Sequence, residues 1–214
     1  MNANRPTTVV ALLACLAISP AVLAVETPTP EVQSPSALEF GPTLPPIGFV
    51  KFCVASPKEC AGGSKHLKPL PLSSQQWRDL YQINTLVNAK IKPVSDQELY
   101  GQPELWTLPT VAGDCEDYLL LKKKYLESMG FPASSLLITV VLDERQEGHA
   151  VLTIAASDGD YILDNRRNDI LRWRSTGYTF LKRQSQDNPR KWVSLVSQET
   201  VSTADISASK PPRK

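Results

Sequence analysis

The sequence predicts an α+β fold, a helical N-terminal half packed on an antiparallel sheet. Two stretches of helical period, 73–91 and 114–129, precede three strand-like runs at 136–142, 149–155 and 161–164. The chain has 214 residues, 42% of them hydrophobic and 21% charged, which suits one globular domain with appendages. A net charge of +1 provides no positive field for a nucleic-acid backbone, so nucleic acid is not an expected partner.

Residues 1–24 read as a secretory signal: Arg5, an apolar run from Val9 to Ile18, then Val22-Leu23-Ala24 before the cleavage point. The run is shorter than the roughly 20 apolar residues that span a bilayer, and Ser19-Pro20 interrupts it, so no stable membrane span is expected. Export places the protein in the periplasm or outside the cell, an oxidising compartment. Loss of residues 1–24 removes Cys15 and leaves Cys53, Cys60 and Cys115. Cys53 and Cys60 are then a natural local disulfide with Cys115 as the free thiol; three buried reduced thiols are the alternative.

Residues 25–47 hold six prolines among Thr, Ser and Glu and are expected to be a linker. Residues 196–214 are poor in core-forming side chains and are expected to be a disordered tail, which leaves 48–195 as the domain.

Within the domain, Trp77, Leu80, Ile83 and Val87 follow helical period, Ser73 through Gln76 resembles a capping box, and Pro93 lies just past the end. The segment 96–110, with Gly101, Pro103 and Pro109 around Leu105, Trp106 and Leu108, is expected to be an anchored loop. Tyr118, Leu121, Tyr125 and Met129 form one stripe of the second helix, which Gly130 and Pro132 stop. The strands Leu136 to Leu142, His149 to Ala155 and Tyr161 to Asp164 follow, the last after the turn residues Ser157-Asp158-Gly159-Asp160.

Cys115 falls in the first turn of the second helix, where unpaired backbone N–H groups and the positive end of the dipole favour a thiolate. His149 opens one strand and Asp164 closes the next, which supplies a nucleophile, a general base and an orienting carboxylate. Spacing alone does not join them. A two-residue turn at Asp158-Gly159 would set Asp164 opposite Thr153, about 13 Å along the strand from His149.

The residues Gly113-Asp114-Cys115-Glu116-Asp117-Tyr118, Gly148-His149-Ala150-Val151-Leu152 and Tyr161-Ile162-Leu163-Asp164-Asn165 resemble the bacterial transglutaminase-like cysteine proteinases, the LapG-like periplasmic proteases among them. The resemblance extends upstream through Phe52-Cys53, Pro57, Cys60, Trp77, Asn84, Asn88, Asp96, Tyr100-Gly101 and Trp106, and downstream to Trp173. It implies a papain-like or transglutaminase-like fold with Cys115, His149 and Asp164 as the catalytic triad and a protein or peptide substrate, of which a surface adhesin is the family's example. It also implies an inner-membrane regulatory receptor as a partner. The Cys115 backbone N–H is the expected oxyanion donor, with the Asn84 or Trp106 side chain as a further candidate; packing is the alternative role for both.

Asp114, Glu116 and Asp117 crowd the thiol with like charge, which opposes thiolate formation. Asp114 as N-cap and Asp117 as its partner would account for two of the three. A calcium ion held by Asp114, Glu116 and Asp117 would neutralise the set, and the resemblance implies one. A non-catalytic peptide-binding module and an amine-accepting transglutaminase are the competing functional readings, the latter because one thioester serves both water and amine.

Overall fold

A computed structural model describes Met1, residues 34–61 and residues 70–197. Of the signal expected at 1–24 all but Met1, and of the tail expected at 196–214 all but residues 196 and 197, lie outside the described residues. Among the described residues no helix is long and apolar enough to cross a membrane.

Among the described residues, nine strands and four α-helices run in the order β1 (Pro42–Thr43), α1 (Ile47–Ala55), α2 (Ser74–Lys90), β2 (Lys92–Pro93), α3 (Asp96–Tyr100), β3 (Ala112–Gly113), α4 (Cys115–Ser128), β4 (Leu136–Leu142), β5 (Gly148–Ala156), β6 (Gly159–Asp164), β7 (Arg167–Arg172), β8 (Thr179–Gln184) and β9 (Trp192–Ser194). Seven strands form one antiparallel sheet in the order β1-β9-β8-β4-β5-β6-β7, and β2 pairs with β3 in parallel. The mixed helix and antiparallel sheet is the expected fold class.

The two expected helices form within a residue of their predicted ends. Ser73 caps α2 in a complete capping box with Gln76, which satisfies two otherwise orphaned donors. Leu119, Leu120 and Leu126 of α4 and Leu80, Ile83 and Val87 of α2 join Leu136, Ile138, Leu152, Ile154 and Leu163 of the sheet in the main core. Alternate strand positions Val141, Val151, Ile162 and Phe180 meet Tyr178 in a second cluster, as the period-two alternation of strand side chains requires.

Two expectations need correction. The loop expected at 96–110 opens with α3, capped by the Ser95 hydroxyl and ended by Gly101 in the left-handed region (φ 66°). Residues 34–46, assigned to the linker, lie against the sheet as a strap. Trp173 Nε1 donates to Pro35 O at 3.0 Å, Ala37 N donates to Asp160 Oδ2 at 2.9 Å, and β1 pairs with β9. Buried Arg183 draws the strap in by reaching Glu39 at 2.8 Å and Asp160 at 2.7 Å. The prolines suit this extended path, and the ionic cluster supplies the attachment that composition does not reveal.

Cys53 in α1 and Cys60 are joined by a disulfide, and Cys115 is a free thiol.

Candidate active site

Cys115 is the first residue of α4, so its sulfur and backbone N–H sit where a helix leaves its donors unpaired. His149 is the second residue of β5, and Asp164 ends β6. The hairpin turn explains how the latter two meet. Ala156 pairs with Gly159, so Ser157 and Asp158 form the turn, and Gly159 (φ 135°) takes the positive φ. Thr153 therefore faces Ile162, Leu152 faces Leu163, and the next step sets Asp164 level with Val151. His149 is then its diagonal neighbour on one face, within side-chain reach. His149 Nε2 lies 3.0 Å from Asp164 Oδ1, both side chains being buried.

Asp164 Oδ1 also accepts the Arg166 backbone N–H at 3.0 Å, and Oδ2 accepts the Tyr178 hydroxyl at 2.7 Å. Burial alone would raise this carboxyl, but the His149 contact and these donors hold it at about 2. An ionised Asp164 accepts a proton only from a protonated Nε2, which leaves the lone pair of a neutral ring on Nδ1. That Nδ1 is buried and has no hydrogen-bond partner. Cys115 and His149 both line one cleft of about 320 Å³ with Pro46, Glu104, Trp106 and Lys182.

The thiol itself faces a carboxylate. Cys115 Sγ donates to Glu116 Oε2 at 3.1 Å. Burial first, then the Glu116 charge, pushes the thiol well above its ordinary value, while a backbone hydrogen bond from Ala150 pulls the other way. Burial and the Asp114 charge push Glu116 up to about 8. Asp96 is raised by burial, partly offset by the Leu105 N–H that its Oδ2 accepts.

The structure gathers Asp96, Asp114 and Glu116, with one ligand atom of each lying within 4.8 Å of the others. Asp96 was not among the residues expected to hold a metal. Asp114 occupies the N-cap position yet makes no side-chain cap bond; its Oδ2 accepts the Asp96 N–H at 3.1 Å. Asp96 Oδ1 and Asp114 Oδ1 are buried without hydrogen-bond partners. Buried, unpaired carboxylate oxygens that converge from two segments fit a hard cation such as calcium.

Asp117, also expected to hold the metal, is not among the three whose ligand atoms converge, although its Oδ2 is likewise buried without a hydrogen-bond partner. Its Oδ1 accepts the Thr107 N–H at 2.8 Å, and burial pushes the carboxyl up to about 7. Its side chain occupies the space in front of Gly113, where an added Cβ would come within 2.4 Å of Asp117 Oδ2.

Neither side chain named as a further oxyanion donor is free for that role. Asn84 is fully buried; its amide donates to the Arg167 and Asn168 carbonyls at 3.1 and 2.9 Å, and its Oδ1 accepts from Lys122 at 2.7 Å. Trp106 lines the cleft, but its Nε1 donates to Glu104 at 2.7 Å and its ring packs edge-on against Phe49. Tyr178, missed at the sequence level, touches both His149 and Asp164. Its only sequence signal is an aromatic residue ahead of a strand, which singles out nothing.

A family model described as bacterial transglutaminase-like cysteine proteinase matches residues 39–200. No curated protein matches the sequence. Among solved structures, Legionella pneumophila LapG is 21% identical over 61% of this chain and 75% of its own, with a TM-score of 0.48. EGTA-treated LapG from that organism is 20% identical over 61% and 76% of the two chains, with a TM-score of 0.48. The calcium-bound form is 19% identical over 56% and 70%, with a TM-score of 0.43.

Proposed function

Because the chain belongs to the bacterial transglutaminase-like cysteine proteinases, and is therefore a cysteine peptidase with a protein substrate, we propose that it works through Cys115 as nucleophile, His149 as general base and Asp164 as orienting group. The observation that carries this reading is the buried His149–Asp164 pair, whose free Nδ1 belongs to a residue lining the same cleft as a helix-start cysteine. Nδ1 takes the thiol proton and sulfur attacks the peptide carbonyl carbon. The C–N bond breaks, the amine leaves with the imidazolium proton, and a thioester remains. Water, deprotonated by the same nitrogen, then releases the acid and restores the thiol. The Cys115 N–H faces the developing oxyanion.

Asp96, Asp114 and Glu116 are the residues proposed to hold a calcium ion. When bound, the ion offsets the carboxylate charge beside the thiol and so favours the thiolate. Asp117, in this reading, anchors the Thr107 segment. A periplasmic or secreted location is supported by the Cys53–Cys60 disulfide, which persists in oxidising compartments. A surface adhesin as substrate and an inner-membrane receptor as regulator complete the proposal.

The test is peptide cleavage by single variants. Cys115→Ala and His149→Ala each abolish turnover, Asp164→Asn leaves a residue of activity, and the Cys115→Ala/His149→Ala double variant is no worse than either single one. Near-normal turnover by His149→Ala at neutral pH would refute the assignment and favour a peptide-binding module. Amine incorporation exceeding hydrolysis would favour the transglutaminase outcome.

A further inference from the structure

Tyr178 precedes β8 and reaches the His149–Asp164 pair from a part of the chain that the triad does not use. Its hydroxyl donates to Asp164 Oδ2 at 2.7 Å, and its ring meets the His149 ring edge-on, with centroids 5.6 Å apart and planes at 84°. The hydroxyl has one proton, and its direction is set by what else it touches. Arg167 Nη2 donates to the same oxygen at 3.1 Å, so the phenolic proton goes to Asp164. The ring is held in turn. Arg167 lies 5.3 Å over its face, and the Tyr178 backbone N–H donates to Thr176 Oγ1 at 3.1 Å.

Counting donors at the carboxylate shows what the hydroxyl does. Oδ1 takes His149 Nε2 and the Arg166 N–H, and Oδ2 takes Tyr178 together with the more distant Arg167 Nε at 3.6 Å. Without Tyr178, Oδ2 would keep only that long ion pair, and the carboxylate would be free to rotate and offer either oxygen to the imidazole. We infer that Tyr178 is a positioning residue of the peptidase site: its hydroxyl occupies Asp164 Oδ2 so that only Oδ1 meets His149, while its ring fixes the imidazole plane, and together they keep Nδ1 as the basic nitrogen. This rests on the triad proposed above. Burial and the neighbouring Asp164 push the Tyr178 hydroxyl up to about 12, so it remains a donor throughout the working pH range.

The charged groups around this pair are Arg166 and Arg167 after β6, Lys122 from α4, Asp143 on Arg166 at 2.7 Å and Glu144 on Arg167 at 3.3 Å from the β4–β5 turn, and, across the cleft from His149, Glu104, Cys115, Glu116 and Lys182. Tyr178→Phe changes none of these charges and keeps the ring against His149. With one donor fewer, Oδ2 is left with the long Arg167 ion pair alone, so either carboxylate oxygen can meet the imidazole and the neutral ring is no longer held to the Nε2–H tautomer.

Three measurements test the inference. Peptide cleavage by Tyr178→Phe is expected to show kcat lower by roughly 10- to 100-fold, from loss of one hydrogen bond to a charged group, with KM within about twofold. The ¹⁵N chemical shifts of His149, distinguished from His66 by a His66→Gln variant, should report one neutral tautomer with its proton on Nε2 in the wild type and a mixture of both tautomers in Tyr178→Phe. Replacing Tyr178 by 4-aminophenylalanine, a weaker donor of nearly the same size, should move the tautomer mixture part of the way, and this variant covers the case in which Phe fails to fold. An unchanged single tautomer in both variants overturns the inference whatever happens to kcat, because the hydroxyl would then not be what orients the carboxylate against His149. The NMR arm needs no turnover, so the inference can stand if the chain proves not to cleave peptides, and it can fail while Cys115→Ala still abolishes cleavage.

Discussion

Lys122 is the residue whose replacement has the most calculable consequence. It lies in the middle of α4, about 1% exposed, with its ammonium 2.7 Å from Asn84 Oδ1. Burial lowers it from 10.5 to about 7, with the Asp164 charge opposing part of the fall. A shift of roughly 3.5 units corresponds to at most about 5 kcal/mol, and structural relaxation would bring the effective figure down to roughly half of that. The sign follows from linkage. Between about pH 7 and 10.5 the unfolded chain holds a proton on Lys122 that the folded chain has released, so stability from this residue rises with pH across that window. Below about pH 7 the folded protein carries the full cost of a buried ammonium. Lys122→Met removes this cost but leaves Asn84 Oδ1 unpaired, a penalty of roughly 1–3 kcal/mol at every pH. The difference between variant and wild type should therefore be nearly flat below about pH 7 and shift steadily in favour of the wild type from there to pH 10. Urea unfolding of both proteins at pH 6, 7.5 and 9 measures it, and all other titrating groups cancel in the difference. A difference that is flat in pH would refute the reasoning.

Reduction of Cys53–Cys60, seven residues apart, should lower stability by about 2.5 kcal/mol on the chain-entropy relation, read as a shift of the urea midpoint. Without reductant, labelling of the protein lacking residues 1–24, and so Cys15, should detect one reactive thiol per chain, lost in Cys115→Ser; labelling at Cys53 would contradict the pairing. Excess chelator should lower melting temperature and turnover, with Asp96→Asn abolishing the response and Asp117→Asn retaining it; an unchanged melting temperature in chelator would refute a bound ion. Gly113→Ala would set its Cβ 2.7 Å from the Asp117 Cβ and should cost about 1–3 kcal/mol, a drop of several degrees in melting temperature; unchanged melting would show that Asp117 can move aside freely.

The elements that announced themselves in the sequence are those whose own residues determine their state. The capping box of α2, the Gly130 stop after α4 and the apolar runs of β4, β5 and β6 are local signals. Helix α1 was not legible because Ile47, Val50 and Val54 are apolar on its exposed side, which erases the helical alternation. Strands β7 and β8 were hidden by polar residues whose partners are remote: Arg183 of β8 is buried only because Asp160 and Glu39 meet it, the latter from 144 positions away. The strap falls under the same rule. Its prolines indicate an extended chain, but only the folded Arg183 and Trp173 give it a surface to lie on.

The candidate site divides along the same line. Cys115, His149 and Asp164 carry recognisable chemistry at helix and strand ends, whereas Asp96 and Tyr178 acquire their roles only when distant segments meet. Asp96 enters the acidic cluster because β2 pairs with β3 and brings α3 against the start of α4. The His149–Asp164 contact depends on something finer still. A hairpin turn at Asp158-Gly159 and one at Ser157-Asp158 are both compatible with the residue types present, and moving the turn by one position moves the pairing by two. The first sets Asp164 opposite Thr153, and the second sets it opposite Val151, a diagonal step from His149. Gly159 is the deciding residue because it alone of the three takes positive φ, and it does so with its Cα facing Pro35 O of the strap, where an added Cβ would come within 2.7 Å. The strap thus belongs to the same argument as the catalytic pair: its docking occupies the space beside the turn whose position determines whether imidazole and carboxylate can meet.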